Sequence, residues 1–181
     1  MLFGIIGCGD DDSSTTNSNQ IDVLDYIAPK NDSVYTFNIY KTTIDNSSNQ
    51  TTTRFLESYT KQYLITDKNI TFNDSIENEP YVTYIYENEL ANDNGRKYNR
   101  FISINDIIME EMSFTTVYSK YYDKKEFVID EHKYEFNNVI MLTNTFQEAN
   151  TSEVTISYFA KDIGLVYRKD SNSEEVLILD N

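Results

Sequence analysis

The sequence predicts an all-β protein, allowing one short helix, built as a curved antiparallel sheet or half-barrel. Three observations carry the prediction. The 181 residues include Tyr 15 and Phe 10 against Gly 5 and Trp 0, and aromatic and β-branched side chains suit a pleated, half-buried surface. Apolar and polar residues alternate with a period of two in several runs. Polar turn sequences separate these runs at spacings of about ten residues, as in an antiparallel meander.

In order along the chain, Val34-Tyr35-Thr36-Phe37-Asn38-Ile39-Tyr40 places Tyr35, Phe37 and Ile39 on one face of a strand. Asp45-Asn46-Ser47-Ser48-Asn49 follows as a polar loop. Tyr81-Val82-Thr83-Tyr84-Ile85-Tyr86 is apolar on both faces, as in a central strand. Asn92-Asp93-Asn94-Gly95 contains Asn-Gly, which supplies the positive φ angles of a tight hairpin. One strand is therefore expected to end near Leu90 and the next to begin near Arg96. Asn105 to Met112 stays open between strand and helix. Ile107, Ile108 and Met112 have helical spacing and Asn105 or Asp106 would cap, but the stretch is short. Val154-Thr155-Ile156-Ser157-Tyr158 alternates cleanly, Asp170-Ser171-Asn172-Ser173 is a loop, and Val176 to Leu179 reads as a terminal strand.

The N-terminus has a different character. Met1 to Gly7 is an apolar run ending Ile5-Ile6-Gly7, then come Cys8 and Gly9-Asp10-Asp11-Asp12. Branched-branched-small-Cys resembles the lipobox of bacterial lipoproteins. The resemblance implies a diacylglycerol on the Cys8 thiol, removal of residues 1–7, and acylation of the new amino group. A signal h-region needs roughly 7 to 15 apolar residues behind a basic n-region. Met1 to Gly7 only reaches the lower limit, so one reading puts the true start upstream. Cys8 is the only cysteine, which excludes an intramolecular disulfide. Gly9 to Gln20 holds no apolar residue, so ordering it has nothing to offset the lost entropy. It reads as a flexible spacer. Residues 1–8 are thus the signal and lipobox, 9–32 the tether, and 33–181 the antiparallel β domain. The resemblance, with Gly9 after the Cys where the family's inner-membrane signal is Asp, implies an outer-membrane location.

A second resemblance lies in the C-terminal third. Lys133-Tyr134-Glu135-Phe136-Asn137-Asn138-Val139-Ile140-Met141-Leu142 is followed by Ile156-Ser157-Tyr158-Phe159-Ala160-Lys161-Asp162-Ile163-Gly164-Leu165-Val166. The pairing is similar to one in uncharacterised bacterial secreted lipoproteins, and implies a curved antiparallel sheet akin to the half-barrels of the Lol lipoprotein carriers. That family often has Gly directly after the Lys, where this chain has Asp162. Ala160 and Gly164 are expected to bracket a tight turn at Lys161-Asp162. Gly164 is expected to accept a conformation or a close contact that a side chain would forbid.

Net charge of -15 and pI near 4.3 argue against nucleic acid, whose backbone needs clustered Lys and Arg. The same charge would repel anionic headgroups, so membrane contact is expected through acyl chains. No catalytic residue, cofactor or metal is assigned. His132, the only histidine, reads as part of a solvated turn without a Gly-x-Ser-x-Gly elbow. One His and one lipidated Cys do not make a zinc site. Asp10 to Asp12, Glu110-Glu111 and Glu174-Glu175 read as solvated surface, outside calcium-loop spacing. Of the Asn-x-Ser/Thr sequences at Asn31, Asn46, Asn49, Asn69, Asn73 and Asn150, those at Asn69 and Asn150 resemble the acidic sequon of bacterial glycosylation.

These readings point to a non-enzymatic envelope lipoprotein holding an apolar ligand on a Tyr-, Phe- and Ile-lined concave face. The alternative is an interaction or scaffold module for an envelope protein. A hydrolase ranks last, for want of a nucleophile and base.

Overall fold

The structure, a computed structural model, describes residues 20–45, 50–76, 80–93, 95, 97–103, 107–111, 114–148 and 151–178. Cys8, Asn105, Asp106, Met112 and Asn150 lie outside the described residues, so the lipobox reading falls outside them too.

The all-β expectation holds, and the sheet is antiparallel throughout. The chain opens with β1 (Ile21–Asp22) and a single helical turn, α1 (Leu24–Ile27). A long hairpin of β2 (Ser33–Asp45) and β3 (Gln50–Ile65) follows, then β4 (Asn69–Asp74), β5 (Tyr81–Ile85), β6 (Glu89–Asn92), β7 (Lys97–Asn99) and β8 (Phe101–Ile102). After β9 (Ile107–Glu111), a second long hairpin joins β10 (Phe114–Ile129) to β11 (His132–Glu148). The chain finishes with β12 (Thr151–Ala160), β13 (Gly164–Lys169) and β14 (Ser173–Ile178). The open segment at Ile107 resolves to a strand, paired with β10.

Among the described residues, twelve strands form one sheet in the order β7-β6-β5-β4-β3-β2-β14-β13-β12-β11-β10-β9, while β1 pairs with β8. The order is a meander closed in the middle by β14 against β2. Leu90 on β6 and Ile140 on β11 are far apart in that order, yet they belong to one buried cluster. The sheet therefore curls on itself. Its outer strands β7 and β9 approach within 8 Å in Cα separation but share no ladder.

Partners across a ladder share a face, and neighbours along a strand face opposite ways. Leu177, Phe37 and Tyr59 pair in a row, as do Ile85, Leu90 and Tyr98. These residues line the inner, concave face. Tyr158, Tyr167 and Val176 pair in a row on the outer face. Val176 and Leu177 are both 0% exposed, so β14 is covered on both sides. The outer cover is the tip of the β10–β11 hairpin. Phe127 stacks on Tyr167 at 4.2 Å between ring centroids, with Ile129 and Phe136 buried beside it. Asn138, at φ 50, falls between the ladder pairs Tyr122–Val139 and Lys124–Asn137, and the register is the same on either side of it.

One boundary is corrected. The sequence reads as tether through residue 32, yet Ile21 to Ala28 belong to the folded body, with Val23, Tyr26 and Ala28 buried. Apolar side chains at positions 21, 23, 24, 26 and 27 gain enough burial to order one turn that its polar surroundings conceal in the sequence.

Candidate functional site

The inner face is occupied by the chain's own segment Asp22 to Pro29. Val23 and Tyr26 join Leu90, Ile102, Ile140 and Leu142 in one cluster, and Ala28 joins Tyr63 and Ile70 in another. Two ion pairs hold this plug at the rim. The Arg100 guanidinium grips Asp22 through Nε at 2.9 and 3.0 Å and NH2 at 2.6 Å, a bidentate geometry that fixes orientation as well as charge. Lys161 Nζ meets Asp25 Oδ2 at 3.0 Å. Backbone bonds add to them: Val23 N–H donates to Arg100 O, Asp162 N–H to Asp25 O, and Lys30 N–H to Asp162 O. The Asp22 hydrogen bonds raise Arg100 above its usual range, and the Asp25 bond does the same for Lys161.

Both halves of the C-terminal motif meet at this plug. The Lys161 N–H donates to Asn138 O at 3.0 Å, and Val139 pairs with Ala160. Asp162 takes φ 62, a left-handed conformation that Asp tolerates and Gly adopts freely. Gly164 behaves as expected on both counts. Its φ is +94, and a Cβ there would lie 3.2 Å from Ala28 Cα. The motif is a brace: its turn carries Lys161, and its glycine lets the plug backbone come close.

Beside the plug opens a cleft of about 590 Å³. Leu24, Ala28, Pro29, Ile65, Ile70 and Ile85 supply its apolar surface, and Asp25, Lys30, Asp67, Arg100, Lys161 and Asp162 its charged rim. That mixture suits an amphiphile better than a wholly apolar or wholly ionic ligand.

Two ionic clusters overturn one sequence reading. Glu174-Glu175 was read as solvated surface, but Glu174 is 9% exposed and the Glu175 side chain 13%. Adjacent strand residues point to opposite faces, and both faces are covered here. Glu175 accepts from Lys61 Nζ at 3.2 Å and from the Tyr59 hydroxyl, while Lys61 lies over the Phe37, Tyr59 and Phe72 rings. Glu174 accepts from Lys169 Nζ. Burial first and the Glu175 charge second push the Tyr59 hydroxyl far up; burial and then Glu174 do the same for Tyr167. Each of these groups is paired, which marks them as structural. The side chains of Glu110 and Glu111 lie outside the described residues.

His132 is exposed, opening β11 after the two-residue turn of Asp130 (φ 48) and Glu131 (φ 66), with Nδ1 2.8 Å from Asp130 O. It lines a second cleft of about 550 Å³ with Tyr134, Phe136 and Leu177, and no Ser or Cys appears among the described residues there. Asn69 starts β4 half-buried, its Oδ1 3.1 Å from Thr66 Oγ1. Among the described residues no group of three or more His, Cys, Asp or Glu is placed to hold a metal ion, and no helix is long and apolar enough to cross a membrane. The plug itself escaped sequence reasoning; its only signal was the short apolar spacing from Ile21 to Ile27. No family model matches the chain, nor does any curated protein or solved structure.

Proposed function

We propose that this chain is a lipid-anchored envelope protein, held to the outer membrane through Cys8, whose curved sheet binds an amphiphilic ligand. The observation that carries the reading is the cleft beside the plug, apolar at Leu24, Ile65, Ile70 and Ile85 and rimmed by Lys30, Arg100 and Lys161 together with Asp25, Asp67 and Asp162. Its volume of about 590 Å³ lies in the range of small-molecule sites. The proposal assigns no catalysis, cofactor or nucleic-acid contact.

An interaction module is the second reading, favoured by an apolar stripe on the outer face. Val34 and Leu64 are 63% and 41% exposed, and Leu64 continues across its ladder partner Thr71 to Val82, next to exposed Tyr84. A scaffold would use this stripe for an envelope partner.

Two experiments test the parts separately. Cys8→Ala, expressed with an upstream basic signal region, should shift the protein from membrane to soluble fraction; unchanged fractionation removes the anchor. Titration of the purified Cys8→Ser chain with dodecanoate should give saturable calorimetric binding that Ile70→Asp abolishes. Saturable binding unchanged by Ile70→Asp would move the ligand out of the cleft.

A further inference from the structure

The plug has the pattern of an anionic amphiphile laid into the sheet. Its acids Asp22 and Asp25 sit at the rim, each on a cation from a link between strands, Arg100 between β7 and β8 and Lys161 between β12 and β13. Its apolar residues Val23 and Tyr26 turn inward against Leu90, Ile102, Ile140 and Leu142, with Leu24 and Ile27 packed alongside. Both cations also line the neighbouring cleft. Were the plug to leave, Arg100 and Lys161 would lose Asp22 and Asp25 at the mouth of an apolar groove, with Asp67 and Asp162 remaining on its rim.

The attachments are of a kind that can open. The helix is one turn of four residues, held at its start by the Leu24 N–H donating to Asp22 Oδ1 at 3.0 Å. β1 is joined to β8 by two residue pairs. The Lys161 and Asp25 side chains are 44% and 42% exposed, so their pairing is weakened by solvent. Opening exposes the buried Val23, Tyr26 and Ala28, a cost that a ligand chain offsets by taking their place, while the two-pair β1–β8 ladder itself breaks more easily than the long ladders around it.

We infer that the inner face beneath α1 is a concealed site for a single-chain amphiphile with an anionic head. Its chain takes the place of Val23, Leu24, Tyr26 and Ile27, and its head takes over Arg100 and Lys161 from Asp22 and Asp25. The inference rests on the amphiphile reading above and adds where the chain goes, which head it carries and what must move. A ligand that competes with the plug binds with an affinity reduced by the fraction of time the plug is closed.

The test locks the plug. Pro29 and Ile163 face each other in an isolated antiparallel bridge, a spacing that suits a disulfide. The full chain carrying Cys8→Ser, Pro29→Cys and Ile163→Cys is titrated, reduced and oxidised, with dodecanoate and with dodecyltrimethylammonium. The reduced form should bind dodecanoate and discriminate against the ammonium probe, and oxidation should weaken dodecanoate by about tenfold or more. Without the cross-link, Asp22→Asn with Asp25→Asn should tighten dodecanoate by about tenfold, because the competing pairs are gone. Equal affinity in the oxidised and reduced forms, or no gain in the Asp22/Asp25 variant, overturns the concealed site and leaves the amphiphile in the open cleft. Equal affinity for both probes overturns the headgroup assignment. No binding in any form overturns the amphiphile reading along with the inference.

Discussion

Gly164 concentrates more of the fold's logic than any other residue. It sits at φ +94, where a side chain is strained, and a Cβ there would meet the Ala28 backbone at a tight 3.2 Å. Gly164→Val should cost about 2 to 3 kcal/mol in denaturant melts. Lys161→Ala, three residues earlier, should cost about 0.5 kcal/mol or less, since its ion pair with Asp25 is nearly half exposed. Equal, small effects would make Gly164 an ordinary strand position. Asp162 adopts positive φ as well, but its side chain is exposed and Asp tolerates that region. Asp162→Gly should therefore leave stability unchanged or raise it by about 0.5 kcal/mol in the same melts. The need for a glycine at 164 was legible from the turn sequence. The reason, a plug backbone more than a hundred residues upstream, was not.

The long β10–β11 hairpin is the element that makes this more than a single curved layer. Its tip crosses to the outer face of β13 and β14 and buries Phe127, Ile129 and Phe136 there. Phe127→Ala should destabilise by about 3 to 4 kcal/mol, because the Tyr167 and Tyr158 rings lose their packing partner. The turn at its end holds two non-glycine residues at positive φ, Asp130 and Glu131, the geometry that Asn-Gly serves best. Replacing the pair with Asn-Gly should raise stability by about 1 kcal/mol in thermal or urea melts. At this scale the sequence spoke unevenly. Alternation announced β2 and β12, and Asn92 to Gly95 announced the β6–β7 hairpin, which forms with Gly95 at φ 76; the apolar run at Tyr81 announced β5, but not as a strand covered on both faces, since Tyr81 and Tyr84 are exposed. Alternation says which residues share a face but not what covers that face. Neither the folding back of the hairpin tip nor the burial of Glu174 and Glu175 was legible for that reason. The plug was missed because one helical turn is too short for periodicity to show.

Among the described residues, Tyr26, Tyr40, Tyr59, Tyr63 and Tyr167 are buried in a core without Trp, and this couples stability to high pH. Burial, then the Tyr40 hydroxyl, pushes Tyr134 up to about 12, and burial with the Tyr122 charge pushes Tyr158 up to about 12. Tyr59, Tyr63 and Tyr167 are also pushed up, burial being the first cause in each. An unfolded Tyr ionises near pH 10. Below about pH 10 these groups are neutral in both states and stability is intact. Above it the unfolded chain gains charge first, so stability falls as pH rises from about 10 to 12. Urea midpoints should hold up to about pH 9.5 and drop steeply above, with tyrosinate absorbance appearing together with unfolding. Tyrosinate signal growing in a still-folded protein would contradict this burial.

We assign the inner face, filled here by the plug, to a single-chain anionic amphiphile. Native mass spectrometry of the purified, unlipidated Cys8→Ser chain, after exposure to bacterial envelope lipids, addresses it most directly. The expected spectrum holds a one-to-one complex whose added mass is that of a single-chain lipid with an acidic head. A spectrum of bare protein alone, or of complexes with neutral and cationic lipids in equal measure, would contradict it.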